Sequence, residues 1–144
     1  MKVFIDTNII FKWLLWKIKW NKLEKFISIN YPNYKFFISD YVIIELFTER
    51  ALKKLKTNKK HLKQILLTFL KETNIKMINS KPLNQKFLNY VNDIKDWQIL
   101  QDAVNSRCNI ILTYNIKDFK TDLISKNFNI QILTPSQFVK YVNN

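Results

Sequence analysis

The chain has 144 residues, enough for one domain with a substantial core, and 24 Lys and Arg against 11 Asp and Glu give a formal net charge of +13. That field attracts polyanions, nucleic acid first and anionic membrane second. Glycine is absent, so neither a Walker phosphate loop nor a dinucleotide fingerprint can be written, and one Cys and one His cannot make an internal disulfide or a Cys/His zinc site. Hydrophobic residues make up 47%, which argues against disorder. No Pro/Gly/Ser-rich linker divides residues 1–144, so a single domain is expected. Asp6 and Lys12 interrupt the opening apolar stretch, no run reaches the length of a membrane span, and a cytoplasmic location is expected.

In chain order, Lys2 to Ile5 reads as a short buried strand. Asn8 to Trp20 and Lys22 to Ile29 read as helical, and Phe36 to Ile38 as a second strand. Ser39 is a cap candidate for a helix through about Leu55, and a further helix is expected from Lys59 to Lys71. Ile75 to Ile78 is a third strand, short helices cover Asn84 to Val91 and Asp93 to Ser106, and Ile110 to Leu112 is a fourth strand. Ile130 to Leu133 is a fifth, and Pro135 opens a final helix, where its missing amide does no harm. Short apolar strands separated by helices predict an α/β fold with a central parallel sheet of about five strands and helices on both faces. With no glycine, positive-φ positions are expected to fall to Asn.

In such sheets ligands sit beyond the carboxyl ends of the strands, and acids stand there. Asp6 ends the first strand; Glu45 lies one turn into the helix after the second; Asp96 sits near the start of DIKDWQILQDAV; Asp118 follows the fourth strand in LTYNIKDF. A buried acid is costly without a cation or hydrogen bonds, which singles out Asp6. Glu45 could equally be a solvent-facing helix residue, Asp96 a helix N-terminal acid and Asp118 a turn residue. Asp93, Asp40 and Asp102 compete; Asp40 follows a cap and Asp102 points away from Asp96 on a helical wheel, so those two read as structural. His61 stands in the lysine-rich TNKKHLKQ, a solvated helix start, so chemistry is expected from carboxylates, not from His-assisted nucleophiles. Oxygen-only ligands suit Mg²⁺ or Mn²⁺, which would share a phosphodiester with the basic exterior.

Read together, FIDTNII, SDYVIIEL, DIKDWQILQDAV and ILTYNIKDF followed by IQILTPSQF resemble the PIN domain, a nuclease fold of RNA-processing enzymes and of VapC-like ribonuclease toxins in type II toxin-antitoxin systems. The resemblance spans nearly the whole chain. It implies a metal-dependent endoribonuclease, with Asp6, Glu45, Asp96 and Asp118 as catalytic, Mg²⁺- or Mn²⁺-holding acids. It further implies that Asn8 orients Asp6, that Thr113 offers a hydroxyl at the mouth, and that Asn115 occupies a position sometimes acidic in relatives. Trp97 and Asn109 depart from the family pattern, which leaves Asp93, three residues before Asp96 and able to share its helix face, as an alternative third acid. RNA is the implied substrate and a small protein antitoxin the implied partner. A PIN-fold processing nuclease and a non-catalytic RNA scaffold are the alternatives.

The stretch NIIFKWLLWKIKW is apolar around most of its circumference. Ile9, Trp13, Trp16 and Trp20 keep a core spacing, while Ile10, Phe11, Leu14, Leu15 and Ile18 widen the band beyond one stripe. Such an excess suggests a covering partner, an inhibitor or a second copy of the chain; interleaved Trp and Lys could instead meet RNA or a membrane surface.

Overall fold

The computed structural model describes residues 1–17, 31 and 33–144. The expected helix over 22–29, and the side chains of Trp16, Ile18 and Trp20, lie outside the described residues.

Strand β1 (Lys2–Ile5) leads into helix α1 (Thr7–Lys17) and strand β2 (Lys35–Ser39). Helices α2 (Asp40–Leu46), α3 (Glu49–Leu55) and α4 (Lys59–Thr73) precede β3 (Lys76–Ile78). Two 3₁₀ turns (Gln85–Tyr90 and Ile94–Asp96) run into α5 (Trp97–Asn105) and β4 (Ile110–Leu112). A third 3₁₀ turn (Ile116–Asp118), α6 (Thr121–Phe128), β5 (Gln131–Leu133) and α7 (Pro135–Asn143) complete the order.

All four strand pairings are parallel, and the sheet order is β3-β2-β1-β4-β5. Val3 pairs with Phe36 on one side and Ile110 on the other, so β1 is central. Val3, Phe4, Ile5, Ile110, Ile111 and Leu112 are all wholly buried, which explains their unbroken apolar sequence: both faces of the two inner strands are covered. The chain steps outward from β1 through β2 to β3, then returns to β4 on the other side. That reversal makes the gap beyond the carboxyl ends of β1 and β4 the topological switch point.

Several elements differ from the sequence expectation. The helix expected through Leu55 is broken at Phe47–Thr48, because the Thr48 hydroxyl donates to the Glu45 carbonyl (3.0 Å) and accepts from Ala51 N (3.3 Å), capping a new helix. The segments expected as helices over 84–91 and at the start of 93–106 are 3₁₀ turns, with Asn84 and Asp93 capping them by side-chain hydrogen bonds to Lys86 N and Lys95 N. Helix α6 was not expected. The apolar excess assigned to a surface on α1 shrinks: Ile10 and Leu14 are buried core residues beside Ile9 and Trp13, and Phe11 and Leu15 pack partly buried against them. Among the described residues no helix is long and apolar enough to cross a membrane.

Positive φ falls to Asn74 and Asn129 as expected, but also to Lys56 and Arg107. A side chain with a Cβ costs about 1–2 kcal/mol in the left-handed region. Lys56 is exposed and closes α3, with φ 51° and ψ 46°. Lys56→Gly is therefore expected to stabilise the fold by up to about 1 kcal/mol, read as a higher urea midpoint with an unchanged slope.

Candidate active site

Asp6 is the first residue past β1 and is only 3% exposed. Its backbone N–H still donates to Leu112 O of β4 (3.0 Å), so the sheet ladder itself fixes its position. Neutral side-chain donors hold one oxygen of the carboxylate. Thr113, first past β4, donates its hydroxyl to Asp6 Oδ2 at 2.6 Å, and Asn8 Nδ2 donates to the same oxygen at 2.7 Å. Asn8 Nδ2 also reaches Thr113 Oγ1 (2.9 Å), and Asn8 Oδ1 accepts from Tyr114 N (3.1 Å). Thr113 Oγ1 further accepts from Asn115 N (3.0 Å). Burial outweighs these bonds and, with the charge of Glu45, pushes the Asp6 pKa up to about 6.

Glu45, half-buried on α2, accepts a hydrogen bond from the Thr7 hydroxyl and one from Tyr41. Its pKa is raised, chiefly by burial, while those two bonds and the charge of Lys95 pull it back. Asp96 bridges the acids. It stands at the end of the second 3₁₀ turn, where burial first, then the charges of Asp6, Asp118, Asp93 and Glu45, push its pKa up to about 8. Carboxylate oxygens of Asp93, Asp96 and Asp118 lie within 4.8 Å of one another. In a 3₁₀ turn residues three apart eclipse, so the Asp93 cap brings its side chain onto the Asp96 side.

The structure thus draws Asp93, Asp96 and Asp118 into one tight group, with Asp6 and Glu45 outside that group but within electrostatic reach of Asp96. Asp93 and Asp96 are companions in it, where the sequence left them as alternatives. Thr113 is wholly buried, its hydroxyl spent on Asp6 and not held open at the mouth. Asn115 is exposed and enters the network through its backbone. Asp40 and Asp102 tie down another segment: Asp40 accepts from Tyr41 N and Ser80 N (both 2.8 Å), and buried Asp102 accepts from Ser80 Oγ (2.6 Å) and Gln98 Nε2 (2.8 Å). Sequence reasoning missed Thr7 and Tyr41. Tyr41 stands one helical turn before Glu45, a spacing that was legible; burial and the acids around it push its phenol pKa up to about 12.

Closely spaced, half-buried carboxylate oxygens suit a hard divalent cation, and burial holds Asp6, Glu45 and Asp96 above the usual carboxylate range. In chelator, these acids favour the proton in the folded state. Below about pH 4 folded and unfolded chains are both protonated; as pH climbs toward 8 the unfolded chain releases protons first, so their contribution to stability falls. Asp96→Asn is expected to melt higher than wild type at pH 8.5 in chelator, with the gap closing by pH 4. Added Mg²⁺ should raise the wild-type Tm at pH 8.5 more than that of the variant, as followed by thermal denaturation.

No protein-family profile matches the sequence, and no curated protein matches it significantly. Solved structures do match. VapBC2 from Rickettsia felis, solved bound to a DNA fragment from their promoter, superposes with a TM-score of 0.62 at 18% identity, covering 93% of this chain and 98% of that one. VapBC-1 from nontypeable Haemophilus influenzae gives 0.61 at 17%, covering 94% and 99%. The PIN domain endonuclease Utp24 gives 0.50 at 22%, covering 92% and 84%. With its five-stranded parallel sheet and its acids at the β1/β4 switch point, the chain has the PIN-domain fold.

Proposed function

We propose that the chain is a metal-dependent endoribonuclease and acts as the toxin of a toxin-antitoxin pair. The observation that carries this is the gathering of Asp6, Glu45, Asp93, Asp96 and Asp118 around the switch point of a PIN fold whose net charge is +13. The near-complete overlap with the two VapBC structures supports the toxin reading and, with it, a small protein antitoxin; a homodimer is compatible with both.

Asp6, Glu45, Asp96 and Asp118 would hold Mg²⁺ or Mn²⁺, with Asp93 beside them. Such an ion, when bound, lowers the pKa of a coordinated water and neutralises charge building on the phosphate. Thr113 and Asn8 hold the Asp6 carboxylate in one orientation, and Thr7 and Tyr41 do the same for Glu45. Glu45 or Asp96 would accept a hydrogen bond from the attacking water and take up its proton as the water oxygen bonds to phosphorus, while the P–O bond to the leaving ribose oxygen breaks and that oxygen takes a proton from bulk water. Because water attacks and the ribose 2′-hydroxyl does not, single-stranded DNA is a chemically competent second substrate.

Labelled single-stranded RNA should be cleaved with Mg²⁺ or Mn²⁺ and left intact in chelator. Asp6→Asn and Asp96→Asn should each lower kcat by about 10²–10³-fold; cleavage that survives both chelation and these substitutions would refute the mechanism. Thr113→Val, which removes the 2.6 Å donor and leaves the acids in place, should cost about 10–100-fold in activity. The toxin assignment is checked by expression in bacteria: growth arrest by the wild-type chain, and none by Asp6→Asn.

A further inference from the structure

A pocket of about 260 Å³ lies between α1 and α3, lined by Asn8, Phe11, Lys12, Arg50, Ala51 and Lys54 among others. Its described lining carries three cations and no acid. It is also one side chain away from the acid cluster, because the Asn8 that lines it donates to Asp6 Oδ2. Lys12 lies over the Tyr114 ring, its Nζ 3.6 Å from the centroid, so this cation is held against the segment that follows β4 and Thr113. Ala51 and the half-buried Phe11 add apolar lining beside the three cations. Cations and an aromatic ring in one pocket suit one phosphate and one unstacked base.

We propose that this pocket is a subsite for an unpaired ribonucleotide of the bound strand, next to the phosphate that is cleaved. Arg50, Lys54 and Lys12 face its phosphate, and Phe11 faces its base. The subsite rests on the nuclease reading for its role, though not for its binding. It makes the basic charge specific: two cations on the first two turns of α3 fix the register of the strand on the acids, and the pocket limits which base fits.

The test uses the full chain, a 5′-labelled single-stranded RNA and the double variant Arg50→Gln/Lys54→Gln, both sites being exposed. Lys71→Gln/Lys126→Gln, also exposed, serves as the charge-matched control. Anisotropy in chelator reads binding, and cleavage in Mg²⁺ reads KM. The pocket variant should bind at least tenfold more weakly, with a salt dependence shallower by about 0.7 in log–log slope for the one lost phosphate contact. KM should rise in parallel, with the control within about twofold of wild type. Wild-type cleavage with pocket-variant binding and slope unchanged, or lowered no more than in the control, would overturn the subsite and leave the nuclease reading standing. Weakened binding without wild-type cleavage would sink the nuclease reading and keep the subsite. Unchanged RNA binding with lost binding of poly-glutamate would give the pocket to an acidic protein ligand and overturn the proposal.

Discussion

The structure turns on a single buried carboxylate held by the ends of two adjacent strands. Asp6 leaves β1 and Thr113 leaves β4, and the 2.6 Å bond between them closes the switch point of the sheet. Both donors to Asp6 Oδ2 are neutral, so they orient the charge without cancelling it. A Lys or Arg in place of Thr113 would stabilise the ionised acid more, and would leave it with nothing to offer a cation. The network accepts a raised Asp6 pKa as the consequence of keeping its charge available.

The same logic governs the other acids. Asp96 is half-buried within reach of four carboxylates, and burial first and their charges second push its pKa up to about 8. Structural acids in this chain behave differently. Asp40, bonded to two backbone N–H groups, has its pKa lowered. Asp102 is buried and raised but meets hydroxyl and amide donors that anchor Ser80 and Gln98, away from the switch point. What separates the two groups is convergence: the candidate site collects acids from four places in the chain, Asp93 and Asp96 sharing one, whereas Asp40 and Asp102 both anchor Ser80.

Much of this was legible from residue order. Apolar runs of three or four residues located β1, β2 and β4, because the middle of a parallel sheet is covered on both faces. The acids were found because each follows a strand end or opens an adjoining helix. Helix α6 was missed although Asp122 in its first turn and Asn129 at its left-handed end mark it: Lys120 makes no side-chain cap, and its one buried residue, Ile124, makes no stripe. The break between α2 and α3 was hidden because Thr48 sits where a helical residue could sit, and only its paired hydrogen bonds show it to be a cap. Asp93 and Asp96 are three apart and share a side in a 3₁₀ turn as they would on an α-helix; that both belong to the group shows only when Asp118 is seen beside them.

The distribution of charge also explains how a protein with a net charge of +13 can hold an acidic site at all. Lys95 is the cation acting on Glu45, and its carbonyl lies 3.3 Å from the Tyr41 hydroxyl, which places that segment beside α2. The cations of α1 and α3 stand one residue further out, beyond Asn8. Placed closer, they would pair with the acids and empty the site of its affinity for a metal ion; placed much farther, they would be screened from it, since the Debye length is about 8 Å at physiological ionic strength. Asn8 is the spacer, polar enough to hold Asp6 and neutral enough to keep the two fields apart. On the proposed function, a polyanion drawn in by the lysines would meet the cations of α1 and α3 before the acids. In that order a phosphodiester would approach carboxylates that otherwise repel it.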